Sequence, residues 1–453
     1  MLVPPLASFN RKLCCKLNSL YSSHKLEELA RQSGFVQRRS KFGAQMFLDM
    51  LLQPDFEQSE TSLNDHSVLT QMNYGVQIRK QSLHERFSEK AVSFVKRVLE
   101  GHLARQINSQ INAETLRRFS SVKLKDSTRF QLPAAYKDVY PANGGNASEA
   151  GLHVQFEFDL LSGKVCDLQI TDAHSQDNAN AKSTACRVEP GSLLIRDLGY
   201  FSLEAFGQIA ARGGYFISRL KPNIKLYCLQ TAKSLDLPSI SRRMKRYGLQ
   251  RLEVDVCLGD TYKVPVRLFA EKVDKAVAEK RVREARAAAS RKGRTLTDKY
   301  KEYAALNLFV SNVPGEWLLA KHVRTLYRLR WQIELRFKVW KSLCHLHLIR
   351  PMKRYRFEAY LYAKLLAIII HWEIAVNICS QVWHYCGKAM SIYKYYKSVV
   401  RQCHMLRELL FGDRKHLKFY LQTLCKVGVQ NLLIEKRKAR VSQGEVLCLN
   451  LEK

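Results

Sequence analysis

Near residue 120 the apolar residues of the chain change from helical spacing to alternation, which is the pattern of a β-strand. Residues 121–128 largely alternate between apolar and polar. Residues 152–160 do the same before a Ser-Gly-Lys turn and a returning strand, which predicts a hairpin. The run at 192–197 is almost wholly apolar, as in a strand covered on both faces. A short helix ending at a Gly-Gly pair and a further strand at 215–220 follow. This order predicts an α/β fold whose mixed sheet has at least one crossover helix.

Charge limits the partners of the chain. It has 74 Lys and Arg against 41 Asp and Glu, a net charge of +33, on a composition that is 46% hydrophobic and therefore not disordered. Such a surplus indicates a polyanionic partner, with nucleic acid first and an anionic membrane surface second. The most apolar segment, residues 365–370, is far shorter than the roughly 20 residues that cross a bilayer, which predicts a buried helix.

The cysteines and the N-terminus indicate the compartment. None of the 12 cysteines forms a C-x-x-C pair, which argues against a zinc finger and fits a reducing cytoplasm. No secretory signal is visible, because no charged region precedes a long apolar stretch at the start. We therefore expect a cytoplasmic protein that binds nucleic acid and no membrane.

The pattern divides the chain into three regions. Residues 1–115 and 346–453 are basic and helical in spacing, and they flank the sheet domain at 116–345. Residues 222–305 interrupt the sheet pattern with further strand-like segments and a basic helical run at 271–294. That run is either a solvated face or a phosphate-binding surface. We expect DNA binding in the first region and dimerisation or further DNA contacts in the last.

The first region contains one candidate DNA-binding motif. Residues 26–52 break at Ser33-Gly34 as a helix-turn-helix would, and a polar and basic cluster follows where the second helix would begin. The alternative is a plain helical hairpin with a solvated basic edge, and the sequence favours neither. The cluster consists of Gln37, Arg38, Arg39 and Lys41.

One segment, LYRLRWQIELRFKVWKSL, places polar residues in a row. Read as a single helix, it brings four of them within roughly 60° of one another, beside an apolar stripe. The bland interpretation is an amphipathic surface helix in which Arg330 and Glu334 form an ordinary i,i+4 pair. The four residues are Tyr327, Arg330, Glu334 and Lys341.

Further carboxylates occur on the predicted strands. A carboxylate beside a cationic row can hold a divalent metal while the cations hold phosphates, but it needs other acids nearby. Asp126 on the first strand and Asp197 at the end of the buried strand are well placed, since ligands gather at the carboxyl ends of strands in such sheets. The lesser candidates are Glu157 and Asp159 on the hairpin, and the acids expected to face solvent are Asp167, Asp172 and Asp177.

Three motifs, in order, resemble those of the DDE-type transposases of bacterial insertion sequences. The spacing Tyr327-x2-Arg330-x3-Glu334-x6-Lys341 resembles the Y-R-E-K signature of this family. Asp126-Ser127-Thr128 and Asp197-Leu198-Gly199-Tyr200-Phe201 resemble its first and second acidic motifs. The resemblance implies a ribonuclease H-like sheet with a β-rich insertion, here at about 222–305, between helical N-terminal and C-terminal regions.

The resemblance also implies the chemistry. Asp126, Asp197 and Glu334 would hold two Mg²⁺ ions, for which Mn²⁺ substitutes, while Tyr327, Arg330 and Lys341 would bind DNA. Water would free a 3′-hydroxyl at the element end, and this hydroxyl would attack target DNA. The partners would be double-stranded terminal repeats and target DNA, bound by a homodimer in a paired-end complex at the bacterial nucleoid.

Two points stay open in the sequence. The alternative function is a non-cleaving DNA-binding protein derived from a transposase, and the completeness of the acidic triad favours the active enzyme. Trp317 and Trp331 are both candidates for the aromatic residue that receives a flipped base in some relatives.

Overall fold

The computed structural model describes residues 4–38, 40–52, 62–106, 116–144, 148–291, 293–399, 404–412 and 414–435. Within these ranges the strands, numbered along the chain, are β1 Ser121–Leu132, β2 Ala150–Asp159, β3 Val165–Asp172, β4 Ser192–Arg196, β5 Tyr215–Arg219, β6 Leu226–Cys228, β7 Ser234–Leu235, β8 Arg251–Leu258, β9 Val264–Lys272 and β10 Leu306–Ser311.

The α-helices of the same ranges are α1 Pro4–Leu20, α2 Ser23–Gln32, α3 Ala44–Leu52, α4 Leu63–Tyr74, α5 Lys80–Arg86, α6 Glu89–Ala104, α7 Asp177–Ala185, α8 Leu203–Ala211, α9 Leu237–Arg246, α10 Lys275–Ser290, α11 Asp298–Ala304, α12 Ala320–Tyr327, α13 Trp331–Ser342, α14 Arg354–Cys386, α15 Ile392–Val399, α16 His404–Phe411 and α17 Arg414–Asn431.

All ten strands form one sheet in the order β3-β2-β1-β4-β5-β10-β9-β8-β6-β7. β1, β2 and β3 pair antiparallel, whereas β4 pairs parallel with β1, and β5 pairs parallel with β4. Helix α8 makes the crossover between β4 and β5. The predicted mixed sheet with a crossover helix is therefore confirmed.

The interruption at 222–305 extends this sheet. Its strands β8 and β9 pair with each other, and β9 pairs antiparallel with β10, which in turn pairs with β5. The predicted further strands and the basic helical run, which corresponds to α10, are confirmed. Because β10 lies between the two parts, the inserted strands lengthen one sheet.

Apolar side chains cover both faces of the sheet. One apolar cluster joins β1 and β2 to α13, α14 and the N-terminal helices. A second cluster joins the strands β4, β5, β8, β9 and β10 to the helices α8 and α9. Helix α14 packs against α3, α6 and α17, so the terminal helical regions meet around it. The division of the chain into three regions stays a prediction.

Helix α14 is a core helix. In the described part of the chain it is the one helix with the length and composition to cross a membrane, but 89% of its most apolar window is buried inside the protein. The prediction of a buried helix around residues 365–370 is confirmed. The burial on all sides explains why its sequence is apolar all round rather than along one stripe.

The helix-turn-helix interpretation of residues 26–52 is wrong. Helix α2 ends at Gln32 and α3 begins only at Ala44, whereas the motif needs a turn of three or four residues. Gln37, Arg38 and Lys41 lie in the long connection and not on the second helix. Arg39 lies outside the described residues.

Candidate active site

Asp126 lies in the middle of β1, an interior strand of the sheet that is flanked by β2 and β4. Its Oδ1 accepts a hydrogen bond of 2.8 Å from the backbone N–H of Ser127. Burial raises the pKa of Asp126 to about 6, and the negative charges of Asp197 and Glu334 act in the same direction. The positive charge of Arg330 lowers this pKa but does not outweigh burial.

Asp197 follows the last residue of β4, the parallel neighbour of β1. It is the N-cap of a 3₁₀ turn at Leu198–Tyr200, with the Gly199 N–H 3.5 Å from its Oδ2. Its side chain is 43% exposed. The carboxyl end of a central strand thus presents a solvent-accessible acid beside Asp126, as expected from the sequence.

Glu334 lies in the first turn of α13. The prediction of one continuous helix through Tyr327 and Lys341 is wrong, because a 3₁₀ turn at Arg328–Arg330 separates α12 from α13. This turn packs on β1 and β4, so contacts with the sheet override the regular helical period. Tyr327 and Arg330 consequently precede the helix that carries Glu334.

The guanidinium of Arg330 lies between the three acids. Its Nη1 is 3.0 Å from Asp126 Oδ2, and its Nη2 is 2.5 Å from Glu334 Oε1. Its Nε is 3.6 Å from Asp197 Oδ1. Burial alone would lower the pKa of Arg330, but the surrounding acids, Asp197 foremost, raise it. The i,i+4 pair of Arg330 and Glu334 therefore exists, but as part of a partly buried cluster of four charged side chains and not on an ordinary surface helix.

This acid cluster, defined as Asp126, Asp197, Glu334 and Arg330, has an excess of negative charge. Three carboxylates face one guanidinium, so full ionisation leaves two negative charges uncompensated. In the described part of the chain no three Asp, Glu, His or Cys side chains are grouped closely enough to ligate one ion. The donor set nevertheless fits a divalent metal, because hard cations such as Mg²⁺ and Mn²⁺ prefer carboxylate oxygens. Arg330 compensates one of the three negative charges, and a divalent ion would compensate the other two.

Tyr327 lies beside the acid cluster. Its side chain is buried against Phe309, with 5.2 Å between the ring centroids, and the Arg330 guanidinium carbon is 5.9 Å from its ring. Its hydroxyl is buried and has no hydrogen-bond partner among the described residues. Burial raises the pKa of Tyr327 to about 12, so the hydroxyl remains a donor at neutral pH.

Lys341 lies apart from the other three residues of its motif. Its Nζ donates a hydrogen bond of 3.0 Å to the backbone oxygen of Arg129, toward the end of β1. The structure therefore brings Tyr327, Arg330 and Glu334 together with Asp126 and Asp197. The Lys341 side chain instead contacts β1 at Arg129, three residues beyond Asp126.

The remaining acids on the strands have partners of their own. Asp167 is 2.7 Å from the fully buried Nζ of Lys125, which also lies 3.4 Å from Glu157. Asp159 accepts hydrogen bonds from the backbone of Val122 and of the following turn. Glu157 therefore neutralises a buried lysine, and Asp159 satisfies backbone N–H groups, so both have structural partners. The expectation that Asp167 faces solvent is wrong, because its side chain is only 15% exposed.

Asp177 was also expected to face solvent, and this expectation is wrong as well. It is the first residue of α7, its side chain is 25% exposed, and it accepts hydrogen bonds from Gln155 and His153 of β2. The sequence shows only that β2 carries polar residues at alternate positions, and the structure adds that every residue of this strand is buried. Buried polar groups need partners, so such a strand predicts a polar network.

The two tryptophans lie in different surroundings. Trp317 packs against Phe119 and Tyr215, with ring centroids 6.0 and 5.3 Å away, whereas Trp331 is 56% exposed. Trp331 is thus the more exposed of the two, and the base-receiving role stays a prediction for both.

Comparison with known proteins gives one family. The model of the transposase DDE domain matches residues 117–370. The transposase for insertion sequence element IS231F of Bacillus thuringiensis subsp. israelensis is 34% identical over 76% of both chains. The IS231D transposase of B. thuringiensis subsp. finitimus is 29% identical over 92% of this chain and 89% of its own. The IS1151 transposase of Clostridium perfringens is 26% identical over 93% and 92%.

Proposed function

This chain belongs to the DDE-type transposases of insertion sequences, and from that premise we propose that it cleaves DNA at the ends of its element and joins them to target DNA. One observation carries the proposal. Carboxylates from β1, from the end of β4 and from α13 converge on a single guanidinium, although they are far apart in the sequence. The strand order β3-β2-β1-β4-β5, with β4 and β5 parallel to β1, supports a ribonuclease H-like core.

We propose Asp126, Asp197 and Glu334 as the residues that hold two divalent ions, Mg²⁺ or its substitute Mn²⁺. The ions would supply charge stabilisation for the attacking and leaving oxygens of phosphoryl transfer. The protein would contribute the fixed positions of the three carboxylates. The position of Asp126 is fixed by the pairing of β1 with β2 and β4, that of Asp197 by its capped turn, and that of Glu334 by the first turn of α13.

Arg330 would have two roles. Without metal it neutralises part of the acid cluster, so the three carboxylates can remain close together. When divalent cations take over this neutralisation, the guanidinium can turn to a phosphate oxygen of the cleaved strand, where Arg can bind bidentately.

Tyr327 and Lys341 would make further contacts with the phosphates of the DNA. The unpartnered hydroxyl of Tyr327 is a donor next to Arg330 and would bind a phosphate oxygen of the same strand. Lys341 would bind a phosphate further along, since it is held near the end of β1.

The charge of the whole chain supports double-stranded DNA as the partner. With a net charge of +33, the protein attracts both the terminal repeats and target DNA through the release of counterions. A homodimer that holds two element ends, acting at the nucleoid in the cytoplasm, is the assembly we propose for strand transfer.

A non-cleaving DNA-binding protein of the same fold is the second candidate. It is favoured by one observation, namely that Arg330 already pairs with all three carboxylates as in a closed structural ion cluster. The two candidates differ in whether the acids are needed for chemistry.

Glu334→Gln separates the two candidates. We expect it to lower Mg²⁺-dependent cleavage of end DNA by at least about 10³-fold, because the three acids act as a unit. End binding in a gel shift should change by less than about twofold, because affinity rests on many phosphate contacts. The matched control is Glu316→Gln, at an exposed glutamate before α12, and it should cleave like the wild type. Mg²⁺-dependent cleavage at the wild-type rate by Glu334→Gln would contradict the proposal.

A further inference from the structure

A network of polar side chains, three of them buried, adjoins the two acidic motifs. Its centre is Asp177, whose Oδ1 is 2.8 Å from Gln155 Nε2 and 3.2 Å from His153 Nε2. The hydroxyl of Tyr200 donates to Gln155 Oε1, and Ser127 is hydrogen-bonded to Asp177 through its side chain. His153, Gln155 and Tyr200 are all buried.

The network joins the two acidic motifs. Ser127 is the residue after Asp126, and its backbone N–H donates to the Asp126 carboxylate. Tyr200 ends the short turn that Asp197 caps. Side chains next to both carboxylates are therefore connected through Asp177 and Gln155, and a shift of Asp177 would move β1 relative to the turn of Asp197.

Gly199 brings the turn close to Asp177. A Cβ atom at position 199 would lie 3.0 Å from Asp177 Oδ2, which is too short for an ordinary contact. The second acidic motif thus contains a glycine because the turn must approach this carboxylate, and a tyrosine because its hydroxyl must reach Gln155.

Asp177 is ionised at neutral pH. Burial alone would raise its pKa, but hydrogen bonds from His153, Ser127 and Gln155 outweigh burial and lower it to about 2. Its carboxylate is thus held by donors from both β1 and β2.

We propose that Asp177 is a positioning residue that fixes the separation of Asp126 and Asp197, so that both carboxylates can bind the same pair of divalent ions. The inference rests on the proposed function above, because it assumes that these two acids bind metal. The alternative is that Asp177 only stabilises the start of α7, where a negative charge is favourable.

Mn²⁺ binding tests the proposal. The full-length protein, bound to a duplex of its element end, is titrated with Mn²⁺, and free Mn²⁺ is measured by electron paramagnetic resonance. We expect Asp177→Ala and Gly199→Ala each to weaken Mn²⁺ binding by about 10–100-fold, which is the usual effect of removing a group that orients metal ligands. Asp177→Asn, which keeps an acceptor oxygen for Gln155, should lose less than about threefold.

The variants are chosen so that misfolding does not decide the result. Gly199→Ala keeps every hydrogen-bonding group of the network and only pushes the turn away from Asp177. Its matched control is Gly207→Ala on α8, where an added Cβ meets nothing within 4 Å. The control should bind Mn²⁺ like the wild type.

Two further outcomes separate the inference from the function beneath it. Wild-type Mn²⁺ affinity in both Asp177→Ala and Gly199→Ala, together with loss of binding in Asp126→Asn, would overturn the positioning role and leave the proposed function intact. Wild-type Mn²⁺ affinity in Asp126→Asn would instead overturn the metal site itself and the positioning role with it.

Discussion

The molecule contains two clusters of charged side chains that differ in balance and exposure. The acid cluster has three carboxylates, one guanidinium and partial contact with solvent. In the helical bundle, Glu373 of α14 is 2.5 Å from Lys16 Nζ of α1 and 3.0 Å from His102 Nε2 of α6. Tyr21 completes this bundle network with a 3.0 Å contact to His102 Nδ1.

The difference shows how a structural ion cluster is distinguished from one that can take up cations. In the bundle network one carboxylate has two partners and all three groups are buried, so α1, α6 and α14 are joined and no charge is left over. In the acid cluster, negative charge exceeds positive charge at the edge of solvent. The first arrangement is closed, and the second can gain by binding a divalent ion.

One carboxylate from each cluster has a shifted pKa, and the two shifts are in opposite directions. Burial raises the pKa of Asp126 to about 6, and the hydrogen bond from Ser127 and the charge of Arg330 do not outweigh it. Burial would also raise the pKa of Glu373, but His102 and Lys16 outweigh it and lower the pKa. At neutral pH, ionisation therefore costs stability at Asp126 and adds stability at Glu373.

The largest expected contrast is in stability. Glu373→Gln leaves Lys16 buried without its counter-charge, which should lower the free energy of unfolding by about 3–5 kcal/mol. Glu334→Gln removes one of three mutually repelling acids and should leave stability unchanged or higher. Urea unfolding followed by circular dichroism, without divalent ions, compares the two variants. Equal losses in both would show that the acid cluster is as structural as the bundle network.

Divalent ions should stabilise only one of the clusters. At a Mg²⁺ or Mn²⁺ concentration about 100 times the dissociation constant, binding adds about 2.7 kcal/mol to the free energy of unfolding. We expect this gain in the wild type and in Glu373→Gln, and its loss in Asp126→Asn and Asp197→Asn. Thermal melting with and without metal measures it. A gain that persists in both Asp→Asn variants would place the metal elsewhere.

The dependence of stability on pH should separate Asp126 from Glu373. Because the pKa of Asp126 is higher in the folded state, its contribution to stability falls as the pH rises from about 4 to about 6. At about 1.4 kcal/mol per pKa unit, and with protons shared among coupled acids, we expect roughly 2 kcal/mol over this window. The contribution of Glu373 has the opposite sign and is lost as the pH falls through its lowered pKa.

Metal-free unfolding at several pH values measures both effects. The advantage of Asp126→Asn over the wild type should grow from pH 4 to pH 6 and then level off. The deficit of Glu373→Gln should shrink only in more acidic solution. A constant difference between the wild type and Asp126→Asn across this range would contradict the raised pKa.

The sequence predicts the acid cluster better than its surroundings. Asp126 lies within an alternating strand pattern and Asp197 directly follows an apolar one, so local spacing places both on the sheet. The register of β1 with β4, in which Lys125 is opposite Arg196, then brings the two acids together. The break at Arg328–Arg330 could not be predicted, because contacts with β1 and β4 cause it while the helical period runs on. The pair of Lys16 and Glu373 joins residues 357 positions apart, and neither position carries a local signal.

Asp177 shows a further limit of the sequence. It lies in a polar stretch that is typical of a solvated loop, and its partners His153 and Gln155 are on another strand. Asp177 meets these two residues because the start of α7 lies beside the middle of β2 in the folded chain. Polar residues that depend on tertiary register cannot be assigned from spacing along the chain.

The smallest expected effect is at Lys341, which belongs to neither cluster. Its ammonium group is held by the backbone oxygen of Arg129, so its removal should change the free energy of unfolding by only about 0.5–1.5 kcal/mol. If it binds one phosphate, Lys341→Ala should reduce the slope of log affinity against log salt by about 0.9. Lys338→Ala is the matched control on the same helix, because the Lys338 ammonium lies 5.4 Å from the ring of Tyr393. Fluorescence anisotropy of labelled end DNA over a salt series measures both slopes. An unchanged slope for Lys341→Ala would remove this residue from the DNA-binding set and leave Tyr327 and Arg330, which adjoin the acids, as the proposed phosphate contacts.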